Sequence, residues 1–157
     1  AEDIAARISR HGGAALVIDY GYLKTASGDT LQALYKHQYD DVLAHPGESD
    51  LTAHVNFEAL AHAALQGGAN VLPPLEQGEF LLRLGLLERA GSLGTGKNTS
   101  TQEAIRDAVE RLAAPDQMGQ LFKVMAITST SSTLPPFDSG VRTQQGSAGL
   151  SGGGGNE

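Results

Sequence analysis

The chain has 157 residues, enough for one domain with a real core, and it is poor in aromatics and free of Trp. Its formal charge of −7 argues against a phosphate-neutralising surface, so nucleic acid is a poor partner. It has no cysteine, which excludes disulfides, thiolate zinc sites and a cysteine nucleophile, and no run reaches the length of a membrane-spanning helix.

Residues 2–11 set Ile4, Ala5 and Ile8 on one face of a charged amphipathic helix, which Gly12-Gly13 stops. The segment does not read as a signal peptide. With no initiating Met, the chain reads as beginning inside something larger. "AALVID", 14–19, is a short apolar run that predicts a strand buried on both faces. Residues 23–50 are weakly periodic, and "DTLQALYKHQ" predicts a short helix capped by Asp29 or Thr30. "HPGES", 45–49, is a turn, and residues 50–55 are extended. Asn56 then caps a helix over 57–66, with Leu60, Ala61, Ala64 and Leu65 as its apolar stripe and Gly67-Gly68 as its end.

"NVLPPLEQ", 70–77, predicts a strand at a sheet edge, because Pro73 and Pro74 cannot donate to a ladder. Residues 78–93 are helical with a break at Gly85. Ser100 and Glu103 suggest a capping box for a helix carrying Ile105, Val109 and Leu112, with Pro115 past its end. "QLFKVMAIT", 120–128, is the last strand. From Ser129 the composition turns to Ser, Thr, Gly, Gln and Pro, which predicts a disordered tail over 129–157. The order of elements is α/β. Strand 14–19 needs neighbours on both sides, and strand 120–128 supplies only one of them. The expectation is therefore the C-terminal half of an α/β domain.

Several motifs have a plain reading. "GSLGTGKN", 91–98, meets the spacing of a phosphate-binding loop, but Asn98 stands where Ser or Thr should bind magnesium, and it leaves a helix where a strand is required. It reads as a surface loop. His37, His45, His54 and His62 lie too far apart for a zinc pair on one helical turn, which leaves Asp50 and His54 as the nearest approach to metal ligands and metal as an unexpected partner. No G-x-S-x-G is present, so a serine hydrolase fails. "ALVIDYGY", 15–22, says more. An acidic residue and a Tyr-Gly pair at the carboxyl end of a buried strand stand where open α/β sheets bind ligands. Asp19 could equally cap the following turn and Tyr20 could simply pack. Gly21 allows a sharp turn or a close approach.

"ALVIDYGY", "GDTLQALYKHQYDDVLAHPGESDLTAHVNFEAL", "QGEFLLRLGLLERAGSL" and "MGQLFKVMAI", in that order, resemble the C-terminal half of MidA-like methyltransferases, relatives of the mitochondrial complex I assembly methyltransferase. The resemblance covers about residues 1–128, with 23–56 as an insertion and 129–157 outside it. It implies a Rossmann-like class I sheet of seven strands and S-adenosylmethionine as methyl donor. "ALVID" is then strand five, "NVLPP" strand six, and "LFKVMAI" an antiparallel strand seven inserted between them. The family's glycine-rich donor loop and its ribose-binding acid belong to the first two strands, which would precede residue 1. The donor would be bound mainly by residues upstream, and this piece alone should bind it weakly.

The same resemblance places "DLTAHVNF", 50–57, over the catalytic end of the sheet, with Asn56 where the family often has Asp. Asp19, Tyr20, Asp50 and Thr52 are then candidates to line the cleft for a substrate arginine. A carboxylate there would pair with guanidinium, orient its nitrogen and help accept the proton lost on transfer. Asp50 and Thr52 could instead brace the insertion, and Asn56 is read as a helix cap. The expected activity is methylation of a protein arginine by direct displacement, in a bacterial cytoplasm rather than a mitochondrial matrix. The alternative is a non-catalytic assembly factor that grips a partner through 23–56. A hydrolase using Asp50 and His54 is a distant third.

Overall fold

The computed structural model describes residues 1–129 and 134–137. Helix α1, Glu2–His11, buries Ala5 and Ile8, with acids in its first turn and Arg10 and His11 in its last, the order that suits the helix dipole. Ile4, expected on the same stripe, stays exposed. Gly12 at φ 76 ends the helix. Strand β1 runs Ala14–Tyr22.

The next segment overturns the expected helix. The chain over 32–40 instead builds a hairpin of β2, Gln32–Tyr35, and β3, Gln38–Asp40. Its two-residue turn holds Lys36 at φ 51 and His37 at φ 65. Positive φ at both positions matches the twist of the flanking strands. The usual Asn-Gly signal is absent, which hides the hairpin from the sequence. Asp29 is no helix cap: its Oδ1 accepts the Leu31 N–H at 2.8 Å, closing a turn before β2. Strand β4, Asp50–Thr52, joins the other side of β2, giving the order β3-β2-β4.

Strand β5, Val55–Asn56, leads directly into α2, Phe57–Gln66. Asn56 caps α2 as expected, its Oδ1 accepting the Ala59 N–H at 3.0 Å. The helix ends at Gly67, where a Cβ would stand 2.6 Å from the Glu2 carbonyl, so α1 and α2 cross in close contact there. The prolines split the next strand into β6, Asn70–Val71, and β7, Leu75–Glu76. Helices α3, Gln77–Arg83, and α4, Leu86–Gly94, are separated by Gly85 at φ 88, the predicted break. Helix α5 runs Thr99–Ala113. Its cap is Asn98, whose Oδ1 accepts the Thr101 N–H at 2.9 Å; Ser100 already lies inside the first turn, so the predicted capping box does not form. After a single wide turn, Pro115–Gly119, the chain enters β8, Phe122–Thr128.

The main sheet has the order β5-β1-β8-β6, with β7 also on β8. β8 lies antiparallel to β1 from Ala14↔Thr128 to Tyr20↔Phe122, and antiparallel to β6 and β7 on its other side. The last strand thus stands between the first and the proline-bearing edge, as the resemblance implied. β8 is also the strand buried on both faces. Met125 and Ile127 pack with Ala5, Ile8, Phe57 and Ala64 under α1 and α2. Val124 and Ala126 pack on the opposite face with Leu75 and Phe80.

β1 does not share that burial. Ala15 and Val17 face the α1–α2 core, but Leu16 and Ile18, on the other face, are 50% and 48% exposed. Among the described residues its outer edge pairs only at Gly21 and Tyr22, in parallel with β5. The expectation of a tail without structure from Ser129 is corrected at one point. Leu134–Phe137 returns to the sheet, Phe137 packs beside Phe80, and the Pro136 carbonyl accepts from Arg83 Nη1 at 3.0 Å. The rest of the predicted tail, 130–133 and 138–157, lies outside the described residues. No helix among the described residues is long and apolar enough to cross a membrane.

Candidate functional site

The carboxyl end of β1 opens into a pocket of about 390 Å³ lined by Tyr20, Gln32, Leu34, Tyr39, Thr52, His54 and Leu121. Strand pairing explains the convergence. Gln32 lies opposite Thr52, and Leu34 lies opposite both Tyr39 and Asp50. Residues directly opposite in an antiparallel pair share a face, so all five present their side chains to one side of the small sheet. Tyr20 closes the pocket from β1. Its ring stands edge-on to His54 at 5.7 Å and to Phe122 at 5.6 Å. The His54 N–H donates to Thr30 Oγ1 at 3.2 Å, which anchors the link between β4 and β5.

The candidate residues separate on this geometry. Tyr20 and Thr52 meet in the pocket. Asp50 shares the face with Leu34 and Thr52 but is exposed and stands outside the lining. Asp19 points away, since successive strand residues alternate sides. Its Oδ1 accepts the Tyr20 N–H at 2.8 Å, so it holds the backbone beneath the ring and does not line the cavity. Gln32, Leu34 and Tyr39 are hidden from the sequence with the hairpin, and Leu121, just before β8, carries no site signal of its own. In the sequence His54 reads only as a metal or hydrolytic group; its two-residue spacing from Thr52 is the signal for a shared face.

Gly21, read as a place where a ligand could approach, is occupied by the protein itself. A Cβ there would lie 2.2 Å from the Val55 carbonyl oxygen and 2.9 Å from the Phe57 ring. Gly78, just inside α3, is filled in the same way by the Ala113 carbonyl at 2.4 Å. No strand among the described residues enters a helix through an open, glycine-rich turn. "GSLGTGKN" is no such turn either: it begins inside α4 and ends at the α5 cap. Part of it lines a groove of about 410 Å³ between the two helices, with Leu87, Ile105 and Val109. That groove is slightly larger than the β1 pocket, but it lies away from the strand ends and is mainly apolar. The β1 pocket is the better site on chemistry and position.

A second polar cluster braces the insertion. The Asp40 carboxylate accepts from His45 Nδ1 at 2.6 Å, and the His45 ring stacks on Tyr35 at 4.0 Å. The His45 hydrogen bond, followed by the Asp41 N–H, holds the Asp40 carboxyl below its usual range. A carboxyl depressed in the folded state favours the fold above its ordinary value, and that contribution fades as pH falls through the lower folded value. A shared transition of the Tyr35 and His45 ring resonances that follows protonation of Asp40 should therefore lie below about pH 3.9, the ordinary aspartate value. In Asp40→Asn this shared transition should vanish. If it persists in the variant, Asp40 does not couple the turn at 45–49 to the hairpin.

The fold is an α/β sheet similar to that of solved COG1565 superfamily proteins. A COG1565 superfamily protein from Burkholderia thailandensis matches with a TM-score of 0.77 and 29% identity, over 90% of this chain and 40% of that one. A second, bound to S-adenosyl-homocysteine, matches at 0.73 and 29%, over 90% and 39%. The family described as "Putative S-adenosyl-L-methionine-dependent methyltransferase" matches residues 1–75. Among curated proteins, the protein arginine methyltransferase NDUFAF7 homolog of Drosophila melanogaster is 40% identical over 125 residues, 79% of this chain and 28% of that protein. The Rattus norvegicus NDUFAF7 protein is 38% identical over 133 residues, 80% and 29%. By these matches the chain is similar to part of S-adenosylmethionine-dependent methyltransferases of this kind. It spans less than a third of the length of these curated relatives. Their names place them in the mitochondrion, and this overturns the expectation of a bacterial cytoplasm.

Proposed function

We propose that the chain is the C-terminal, substrate-side part of an S-adenosylmethionine-dependent methyltransferase that modifies arginine on a protein. The observation that carries this is the pocket at the carboxyl end of β1, on a sheet similar to that of a relative bound to S-adenosyl-homocysteine. The curated relatives are named protein arginine methyltransferases. The half-domain reading draws support from β1, whose open edge and exposed Leu16 and Ile18 suit a further strand and its covering layer. Tyr20 lies on that same face, so the pocket would border the added part. Tyr20 and Thr52 line the substrate side, Asp50 stands at its rim, and Asp19 sets the backbone of Tyr20. Their task is to fix a guanidinium nitrogen toward the donor's methyl group and to keep water out, where orientation supplies much of the rate.

Calorimetric titration of S-adenosylhomocysteine into this chain and into an upstream-extended form tests the reading. Binding by the extended form alone is expected, together with methyl transfer to an arginine peptide. Binding by neither would favour a non-catalytic partner-binding role. A specific observation supports that second reading: the insertion exposes Tyr39 at 77% and Leu43 at 78%.

A further inference from the structure

The pocket has an unusual chemistry for a site that is to hold a cation. Among the described residues, no Asp, Glu, Lys or Arg lines it. Arginine is commonly held by a bidentate carboxylate. The other means is an aromatic face with neutral oxygen acceptors, since the flat guanidinium is weakly hydrated and stacks on rings. Only the second set is present. Tyr20 is fixed between His54 and Phe122. Tyr39 stands opposite Leu34 and remains 77% exposed, free to cover what enters. Gln32 and Thr52, paired across β2 and β4, offer a carbonyl and a hydroxyl oxygen from one side.

We propose that this pocket selects arginine through an aromatic enclosure of Tyr20, Tyr39 and His54, with Gln32 and Thr52 as neutral acceptors and no paired carboxylate. The inference rests on the methyltransferase reading for its biological sense, but its binding claim stands apart from the donor. The chemistry has a consequence that separates it from a carboxylate clamp. A methyl group on the guanidinium blocks a bidentate pair while leaving the charge. Aromatic walls lose nothing by it. The pocket therefore holds monomethyl-arginine as well as arginine, and a second transfer at the same side chain is open to it. Lysine is disfavoured, because its ammonium is compact and more strongly hydrated.

The test is an NMR titration of the chain, alone and upstream-extended, without donor. The probes are acetylated tripeptides with a central arginine, monomethyl-arginine, lysine or citrulline. Arginine and monomethyl-arginine should bind within about twofold of each other, and lysine and citrulline about fivefold or more weaker, the scale of one cation–π contact. Tyr39→Leu should weaken arginine by about fivefold, and Tyr39→Phe should leave it unchanged. Monomethyl-arginine tenfold weaker than arginine would overturn the proposal in favour of carboxylate pairing, with Asp50 as the candidate. No arginine binding, or equal binding of lysine, would overturn it as well. Methyl transfer by the extended protein with an unchanged KM in Tyr39→Leu would reject this inference and leave the methyltransferase reading standing. Arginine binding without transfer would do the reverse.

Discussion

Phe57→Ala should lower the stability of the chain by about 4 kcal/mol, the range for truncating a buried aromatic. Phe57 is 1% exposed at the first position of α2. It packs in one cluster with Ala5, Ile8, Met125 and Ile127, which come from α1 and from the central strand. The hole it leaves cannot close easily. One wall is backbone at Gly21, held by pairing with Val55. The helix start is held by the Asn56 cap, and Asn56 Nδ2 also donates to Thr25 Oγ1 at 3.1 Å. A domain of this size has about 5–15 kcal/mol in total, so much of the margin would be lost. Urea unfolding followed by circular dichroism gives the number. A loss under about 1 kcal/mol would mean that the cluster repacks and that Phe57 is no keystone.

Gly21→Ala should cost about 3 kcal/mol by overpacking. The added Cβ would meet the Val55 carbonyl at 2.2 Å and the Phe57 ring at 2.9 Å. A ring can turn aside, but the carbonyl belongs to β5 and is part of the parallel pairing with β1. β5 must therefore shift, carrying His54 with it and disturbing the pocket. The double variant with Phe57→Leu separates the two contacts. Relief of the ring clash alone should recover only part of the loss, and neighbours of this kind are not expected to add. Full recovery would show that the carbonyl contact is harmless. Unchanged arginine binding in Gly21→Ala would show that β5 does not position the pocket.

The sheet order was legible because its signals are physical exclusions. Prolines at 73 and 74 cannot stand inside a ladder, which puts their strand at an edge, and strand 120–128 reads as a neighbour for the apolar strand 14–19. β1 gave a misleading signal. Leu16 and Ile18 look like residues buried on two faces, but whether they are covered depends on a neighbour that residue type cannot reveal. The hairpin was hidden because Lys36 and His37 adopt positive φ without the residues that usually announce it. Tyr20 and Thr52, which the resemblance and their place on the strands point to, both line the pocket. Asp19 and Tyr20 are adjacent on one strand, so alternation alone could have shown that both would not face the same cleft. Tyr39 was out of reach until the pairing of β2 with β3 was known.

The position of β8 bears on the order of synthesis. β1 and β6 do not pair with each other; each is joined to the sheet through β8. About 100 residues separate the end of β1 from the start of β8. A growing chain thus emerges from the ribosome with β1 made well before β8, its main pairing partner. During that interval Leu16, Val17 and Ile18 are open to other strands, and closing so long a loop is slow. Release of β8 from the exit tunnel is the event that gives β1 its antiparallel partner.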